Sequence, residues 1–349
     1  MAFKLDYYNI THKGLSYSRE LTLENCPRKY ELDAKFAIKA NRSSVTFSYG
    51  HSVAAGVQFA LAGHSMERCI VETMLAYTHD VNDVGTENEQ SQKKSIWWAM
   101  LNVEEFYRKY KAGVYKFLDG WEVAKITKSD GTVVPAIELT FVIELLDGYT
   151  FEGHIDLVLY HPVKKRFMVL ELKTTGMTTV DEAQYKNSTQ ALGYGAVIDL
   201  MADQMGEAAS FDVLYMVYQS RNRQIIPMPF TKTAKDRVDW LTKLVINMKQ
   251  LEMYEDLGYP KRGQSCFNFF RPCEYIKTCS LSNTTIASMF KVADGTTDDE
   301  SYTKLSTPDF MFTLDELLTR QDQLVAQIES GKVSDTTDAE LLISTTLID

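Results

Sequence analysis

Three consecutive segments decide most of what this chain can fold into. Residues 137–145 (IELTFVIEL), 149–160 (YTFEGHIDLVLY) and 166–175 (RFMVLELKTT) are rich in β-branched and aromatic residues. Only short turn sequences separate them. Asp147-Gly148 is a strong hairpin signal, and HPVKK (161–165) forms the second turn. The segments therefore read as a three-strand meander.

Helical spacing flanks that meander. From Ser52 to about Tyr77 the apolar positions Val53, Val57, Ala60, Leu61, Met66, Ile70 and Met74 repeat at helical intervals. Residues 80–93 are polar and read as a loop, and a further helix is expected from Ser95 to about Leu118. After the meander the pattern predicts a helix from Val180 to about Gln204. A strand over 211–219 follows, paired with RNRQIIPMPF, and then a long helix from Thr233 to about Tyr254. The resulting order is α-β-β-β-α-β, an α/β chain with added helices.

Composition narrows the class. No apolar run is long enough to span a membrane, and the first residues lack the apolar core of a secretory signal, so a cytoplasmic address is expected. Five cysteines are too few for a disulfide scaffold of 349 residues. Three of them, Cys266, Cys273 and Cys279, cluster; in a reducing compartment that points to metal or redox work. The net charge of −10 is uneven, because residues 280–349 carry 13 acidic and 4 basic side chains. The rest is near neutral, so local basic patches can govern its contacts. Candidate DNA-facing cations are Arg28, Lys29, Lys164, Lys165, Arg166, Arg221 and Arg223.

The organisation expected is a body over 1–280 and a flexible acidic tail over 281–349. One amphipathic helix, about 314–330, interrupts the tail. Thr313 and Glu316 fit a capping box, Gly331 fits a stop, and Leu314, Leu317, Leu318, Leu324, Val325 and Ile328 share one face. That face is expected to dock on a partner surface.

The third strand carries the chemistry. Side chains alternate along a strand, so Glu171 and Lys173 share one face. Burying two charges near the end of an apolar strand costs several kcal/mol unless they are paired or bind a metal. An E-x-K pair alone is usually a simple ion pair. Here the neighbouring strand offers Asp156 at a comparable height, after Gly153. Two carboxylates at one point suit Mg²⁺ or Mn²⁺, and a lysine two residues away can orient water or stabilise charge. On the helix that follows, Gln190 and Tyr194 are spaced i, i+4 and can lie over the same site.

At these residues the chain resembles a known family. Gly153-His154-Ile155-Asp156, Glu171-Leu172-Lys173 and Gln190-Ala191-Leu192-Gly193-Tyr194 are similar, in order and spacing, to the G-x-x-D, E-x-K and Q-x-x-x-Y motifs of RecB-like nucleases in the PD-(D/E)XK superfamily. The resemblance covers roughly residues 15–280. It implies a restriction-endonuclease-like αβββαβ core and a Mg²⁺- or Mn²⁺-dependent deoxyribonuclease, with an exonuclease of recombination, repair or viral DNA processing as the expected form. Asp156, Glu171, Lys173, Gln190 and Tyr194 would be its catalytic residues, and Asp156, Glu171 and the backbone carbonyl of Leu172 its metal ligands. DNA is the implied partner, with a helicase or a replication or recombination protein on the C-terminal helix.

Cys26-Pro-Arg-Lys-Tyr30 also resembles the segment that precedes the nuclease core in members with a [4Fe–4S] cluster. The resemblance implies that Cys26, Cys266, Cys273 and Cys279 hold that cluster, with zinc as the rival metal. Cys69 is expected to be a core residue. Two positions depart from the pattern. Cys266 and Cys273 are spaced C-x6-C instead of C-x2-C, and aligning on Gly50 puts Ala54 where such nucleases often carry a histidine, with His51 nearby but out of register. The alternative to a nuclease is a catalytically weak DNA-binding or scaffold protein that retains the fold.

Overall fold

The structure, a computed structural model, describes residues 14–35, 38–39, 45–80, 94–127, 131–268, 271–289, 291–292 and 308–335. The chain divides into two compact units. The smaller comprises residues 1–42, 140–153 and 241–314, and the larger 43–139, 154–240 and 315–349. The strands discussed below are β1 (Gly14–Ser16), β2 (Glu122–Val123), β3 (Ile137–Glu144), β4 (Thr150–His161), β5 (Arg166–Thr175), β6 (Ala208–Gln219), β7 (Gln224–Thr231) and β8 (Phe310–Thr313). The helices are α1 (Tyr17–Asn25), α2 (Pro27–Tyr30), α3 (Val45–Leu61), α4 (Met66–Asp80), α5 (Ile96–Lys111), α6 (Glu182–Lys186), α7 (Gln190–Gln204), α8 (Ala234–Leu257), α9 (Asn283–Met289) and α10 (Leu314–Glu329).

The larger unit is built on a mixed sheet with strand order β7-β6-β5-β4. β4 and β5 pair antiparallel with Leu157 opposite Leu170, as a hairpin requires. β5 and β6 pair parallel, with Glu171 beside Tyr215. A parallel neighbour needs a crossover connection, and α6 and α7 supply it. β7 returns antiparallel on β6, so the expected pairing of these two strands holds. Strands buried on both faces read as continuous apolar runs, and residues 167–171 of β5 are all buried. α3, α4 and α5 pack together on one side, with α3 against β5. Their apolar faces join the sheet in a core that includes Val53, Val57, Cys69, Val103, Phe106, Leu157, Leu170 and Met216. This is the mixed α/β core expected of a restriction-endonuclease-like fold.

In the smaller unit β1 pairs parallel with the start of β4, and β8 pairs parallel with β3. Gly153 lies in β4, and a Cβ there would fall 2.4 Å from the ring of Phe141. The first residue of the G-x-x-D segment is therefore glycine for packing. Leu32, Tyr275 and Ile286 form a small core against which Cys273 and Cys279 pack.

Several expectations need correction. The helix expected over 52–77 is two helices, α3 and α4, broken at Gly63, whose φ of +86° ends the first. The helix expected over 95–118 stops at Lys111. The one expected over 180–204 breaks at Asn187, between α6 and α7. Helical periodicity runs through such breaks because both helices bury apolar residues on the same side. Of the polar loop at 80–93, residues 81–93 lie outside the described residues.

The tail is also not uniformly flexible. α9 begins at Asn283, β8 extends the strand pairing of β3, and Asp309 Oδ2 accepts from the Thr140 N–H at 3.0 Å. α10 buries Leu317, Gln321 and Leu324. Arg320 Nε donates to Asp199 Oδ2 at 2.9 Å, and Gln321 Nε2 donates to the same oxygen at 3.2 Å. The apolar face expected to dock on another protein is thus used within this chain. Acidic, Ser/Thr-rich composition concealed it because few residues carry the apolar contacts. The tail residues 293–307 and 336–349 lie outside the described residues. Among the described residues no helix is long and apolar enough to cross a membrane.

Candidate active site

The hairpin β4–β5 sets the geometry. The ladder ends at the pair Leu157 and Leu170, and one further step of the register places Asp156 opposite Glu171. There the backbone N–H of Leu172 donates to Asp156 Oδ2 at 2.8 Å. Glu171, on β5, is 1 % exposed. Its Oε1 accepts from Lys173 Nζ at 2.6 Å, while its Oε2 is buried with no hydrogen-bond partner. Lys173 Nζ also donates to Gln190 Oε1 at 3.2 Å, and Gln190 Nε2 donates to the Tyr194 hydroxyl at 2.8 Å. Gln190 opens α7, which packs on β5. One hydrogen-bonded chain thus joins Glu171, Lys173, Gln190 and Tyr194, with Asp156 beside it.

Burial and mutual repulsion shape the electrostatics. Loss of hydration, then the Asp156 charge, pushes Glu171 up to about 8, with Lys173 only partly offsetting them. Burial likewise raises Asp156, against the pull of Lys173 and the Leu172 N–H. Burial alone would lower Lys173, but Glu171 and Asp156 hold it above its usual value, so it remains an ammonium. Burial, then Glu171, pushes the Tyr194 phenol well above its ordinary value, so it stays a neutral hydroxyl. An unpartnered buried carboxylate oxygen beside a second buried carboxylate is the donor chemistry a hard divalent cation takes. Among the described residues no three His, Cys, Asp or Glu side chains converge on one ion. The protein would supply two carboxylates, and Mg²⁺ commonly fills its other positions with water and substrate phosphate.

Two neighbours were not singled out from sequence. Gln58, on α3, donates to a Glu138 carboxylate oxygen and to the Asp156 backbone carbonyl. Reduced hydration, then Asp156, pushes Glu138 up to about 7. The available signal was a glutamine within the apolar face of α3; for Glu138 there was none, because a charge at a strand start is commonplace. His51 contributes favourable charge to Asp156 and Glu138. Ala54 instead lines a small apolar recess with Leu172, Lys173 and Thr174. Position 54 therefore does face β5, and it carries no imidazole.

The expected DNA-facing cations divide. Arg28 donates to Glu31 and to the backbone carbonyls of Cys279 and Leu281, and Lys29 pairs with Glu274 at 2.9 Å. Arg223 lies over the Trp98 ring at 4.6 Å and pairs with Glu105. These three are committed to local structure. Arg221, in the β6–β7 turn, is exposed.

In the smaller unit, Cys26, Cys266, Cys273 and Cys279 line one cavity of about 260 Å³, with Arg28, Lys29 and Lys261 at its walls. The Cys273 N–H donates to the Cys266 carbonyl at 2.8 Å, which fixes the C-x6-C turn. Burial raises the Cys273 thiol. Cys69 is fully buried in the larger unit's core. Four thiols around one cavity, flanked by cations, fit a thiolate-bound metal group. Among the described residues, however, no three of these side chains converge on one ion.

A family model described as the PD-(D/E)XK nuclease superfamily matches residues 14–280. No curated protein matches the chain.

Proposed function

Since this chain belongs to the PD-(D/E)XK nuclease superfamily, we propose that it is a Mg²⁺- or Mn²⁺-dependent deoxyribonuclease acting as an exonuclease in recombination, repair or viral DNA processing. The observation that carries the reading is the unpartnered Glu171 Oε2, buried beside Asp156, with Lys173 on the other oxygen. Asp156, Glu171 and the Leu172 backbone carbonyl would hold the cation. When bound, it supplies Lewis acidity at the scissile phosphodiester. Lys173 places a fixed positive charge next to the reacting phosphate, where charge develops. Gln190 and Tyr194 hold Lys173 in position by the hydrogen-bonded chain behind it.

Cys26, Cys266, Cys273 and Cys279 would hold a [4Fe–4S] cluster, with zinc as the alternative. Joining Cys26 to Cys266 closes a loop of roughly 240 residues, so the group acts on stability rather than on the chemistry of the carboxylates. One observation favours a second reading, a catalytically weak DNA-binding or scaffold protein: Ala54 brings no imidazole to the site. A cleavage assay with Mg²⁺ or Mn²⁺ on linear and circular DNA, single- and double-stranded, separates the two. Cation-dependent release of nucleotides from linear DNA only is expected. Cleavage of circles overturns the exonuclease, and absence of all cleavage with retained DNA binding favours the scaffold.

A further inference from the structure

Gln58 is 3 % exposed, on a helix whose neighbouring positions Val53, Val57, Ala60 and Leu61 are buried and apolar. A primary amide in such surroundings is costly unless its hydrogens are used. Its nitrogen carries two. One goes to Glu138 Oε1 and the other to the backbone carbonyl of Asp156 at 3.2 Å. Asp156 lies one residue beyond the last β4–β5 ladder pair, where pairing with β5 no longer fixes that side of the β4 backbone. Its side chain is held from β5 by the Leu172 N–H, and its main chain from α3 by Gln58. Glu138 has a φ of +49°, a conformation that non-glycine residues hold where their surroundings fix it.

We propose that Gln58 is a positioning residue of the cation site: oriented by Glu138, it fixes the β4 backbone at Asp156 and so keeps the Asp156 carboxylate beside Glu171. The inference rests on the reading of Asp156 and Glu171 as the cation's ligands. Groups behind a metal ligand commonly govern affinity about 10- to 100-fold. A glutamine that merely satisfied itself in the core would leave cation affinity unchanged.

The test titrates Mn²⁺ into the full chain by calorimetry and records the melting midpoint in EDTA. The proteins are wild type, Asp156→Asn, Gln58→Met, Glu138→Ala and Glu138→Gln. Asp156→Asn should bind no Mn²⁺. Gln58→Met should bind about 10- to 100-fold more weakly and recover most of its cleavage rate at saturating Mn²⁺. Glu138→Ala should weaken binding in the same direction. Glu138→Gln, whose amide oxygen still accepts from Gln58, should restore it. Wild-type affinity in Gln58→Met, with none in Asp156→Asn, overturns the inference and leaves the cation reading standing. Equal binding by wild type and Asp156→Asn overturns the cation reading itself. Should Gln58→Met not fold, the Glu138 variants decide: wild-type affinity in Glu138→Ala, or equal losses in both, overturns the inference.

Discussion

The backbone N–H of Leu172 donates to Oδ2 of Asp156, 2.8 Å away, where the β4–β5 ladder has just ended. A side chain thus takes the place of a strand partner. This bond brings the carboxylate of β4 to the charged end of β5, next to Glu171.

Removing either charge of the E-x-K pair should stop cleavage without unfolding the chain. Glu171→Gln and Lys173→Met are expected to lower the cleavage rate by about 10²–10³ or more. DNA affinity, read by fluorescence anisotropy in Ca²⁺, should change little. Near wild-type cleavage by either purified variant would sink the assignment.

Stability of the metal-free protein should depend on pH in a defined direction. Glu171 releases its proton at about 8 in the folded chain and at about 4.5 ordinarily. A group raised on folding stabilises below its unfolded value and loses that contribution as pH rises through the folded one. In EDTA the melting midpoint should therefore fall from about pH 5 to pH 8.5. Glu138, pushed up to about 7, acts in the same sense. Excess Mg²⁺ should flatten the curve at high pH by binding the ionised pair. A flat profile in EDTA would contradict the burial argument.

The C-terminal helix should be needed for folding. Arg320 pairs with Asp199, and both side chains are nearly buried. Breaking such a pair on one side leaves a buried charge and costs about 3–5 kcal/mol. Arg320→Leu should lose that much in urea unfolding, and truncation before Phe310 should lose more. A truncated chain that melts like the full one would overturn this expectation.

Protein purified without oxygen should be yellow-brown and contain iron. Cys26→Ser and Cys279→Ser should lose the colour, and a loss of about 3 kcal/mol would lower the melting midpoint by about 5–10 °C. Cys69→Ala should keep both iron and colour. Stoichiometric zinc in a colourless protein would replace the cluster, while wild-type melting of the metal-free cysteine variants would rule out a staple.

Sequence alone determined what depends on local order and periodicity. Side chains alternate along a strand, so Glu171 and Lys173 had to share a face, and i, i+4 spacing had to align Gln190 with Tyr194. The hairpin turn at 161–165 placed Asp156 near Glu171 once the strands paired. The order α-β-β-β-α-β followed from the same patterns. What only tertiary structure decided has long sequence separation. Gln58 reaches Glu138 and Asp156 across 80 and 98 residues, and Arg320 reaches Asp199 across 121. No periodicity encodes such contacts, because each is one hydrogen bond or ion pair made possible by how whole elements pack. The helix at about 314–330 was legible from its apolar face, but not what that face meets: the buried Leu314, Leu317, Gln321 and Leu324, with the Arg320 pairs to Asp199 and Asp203, anchor it within this chain.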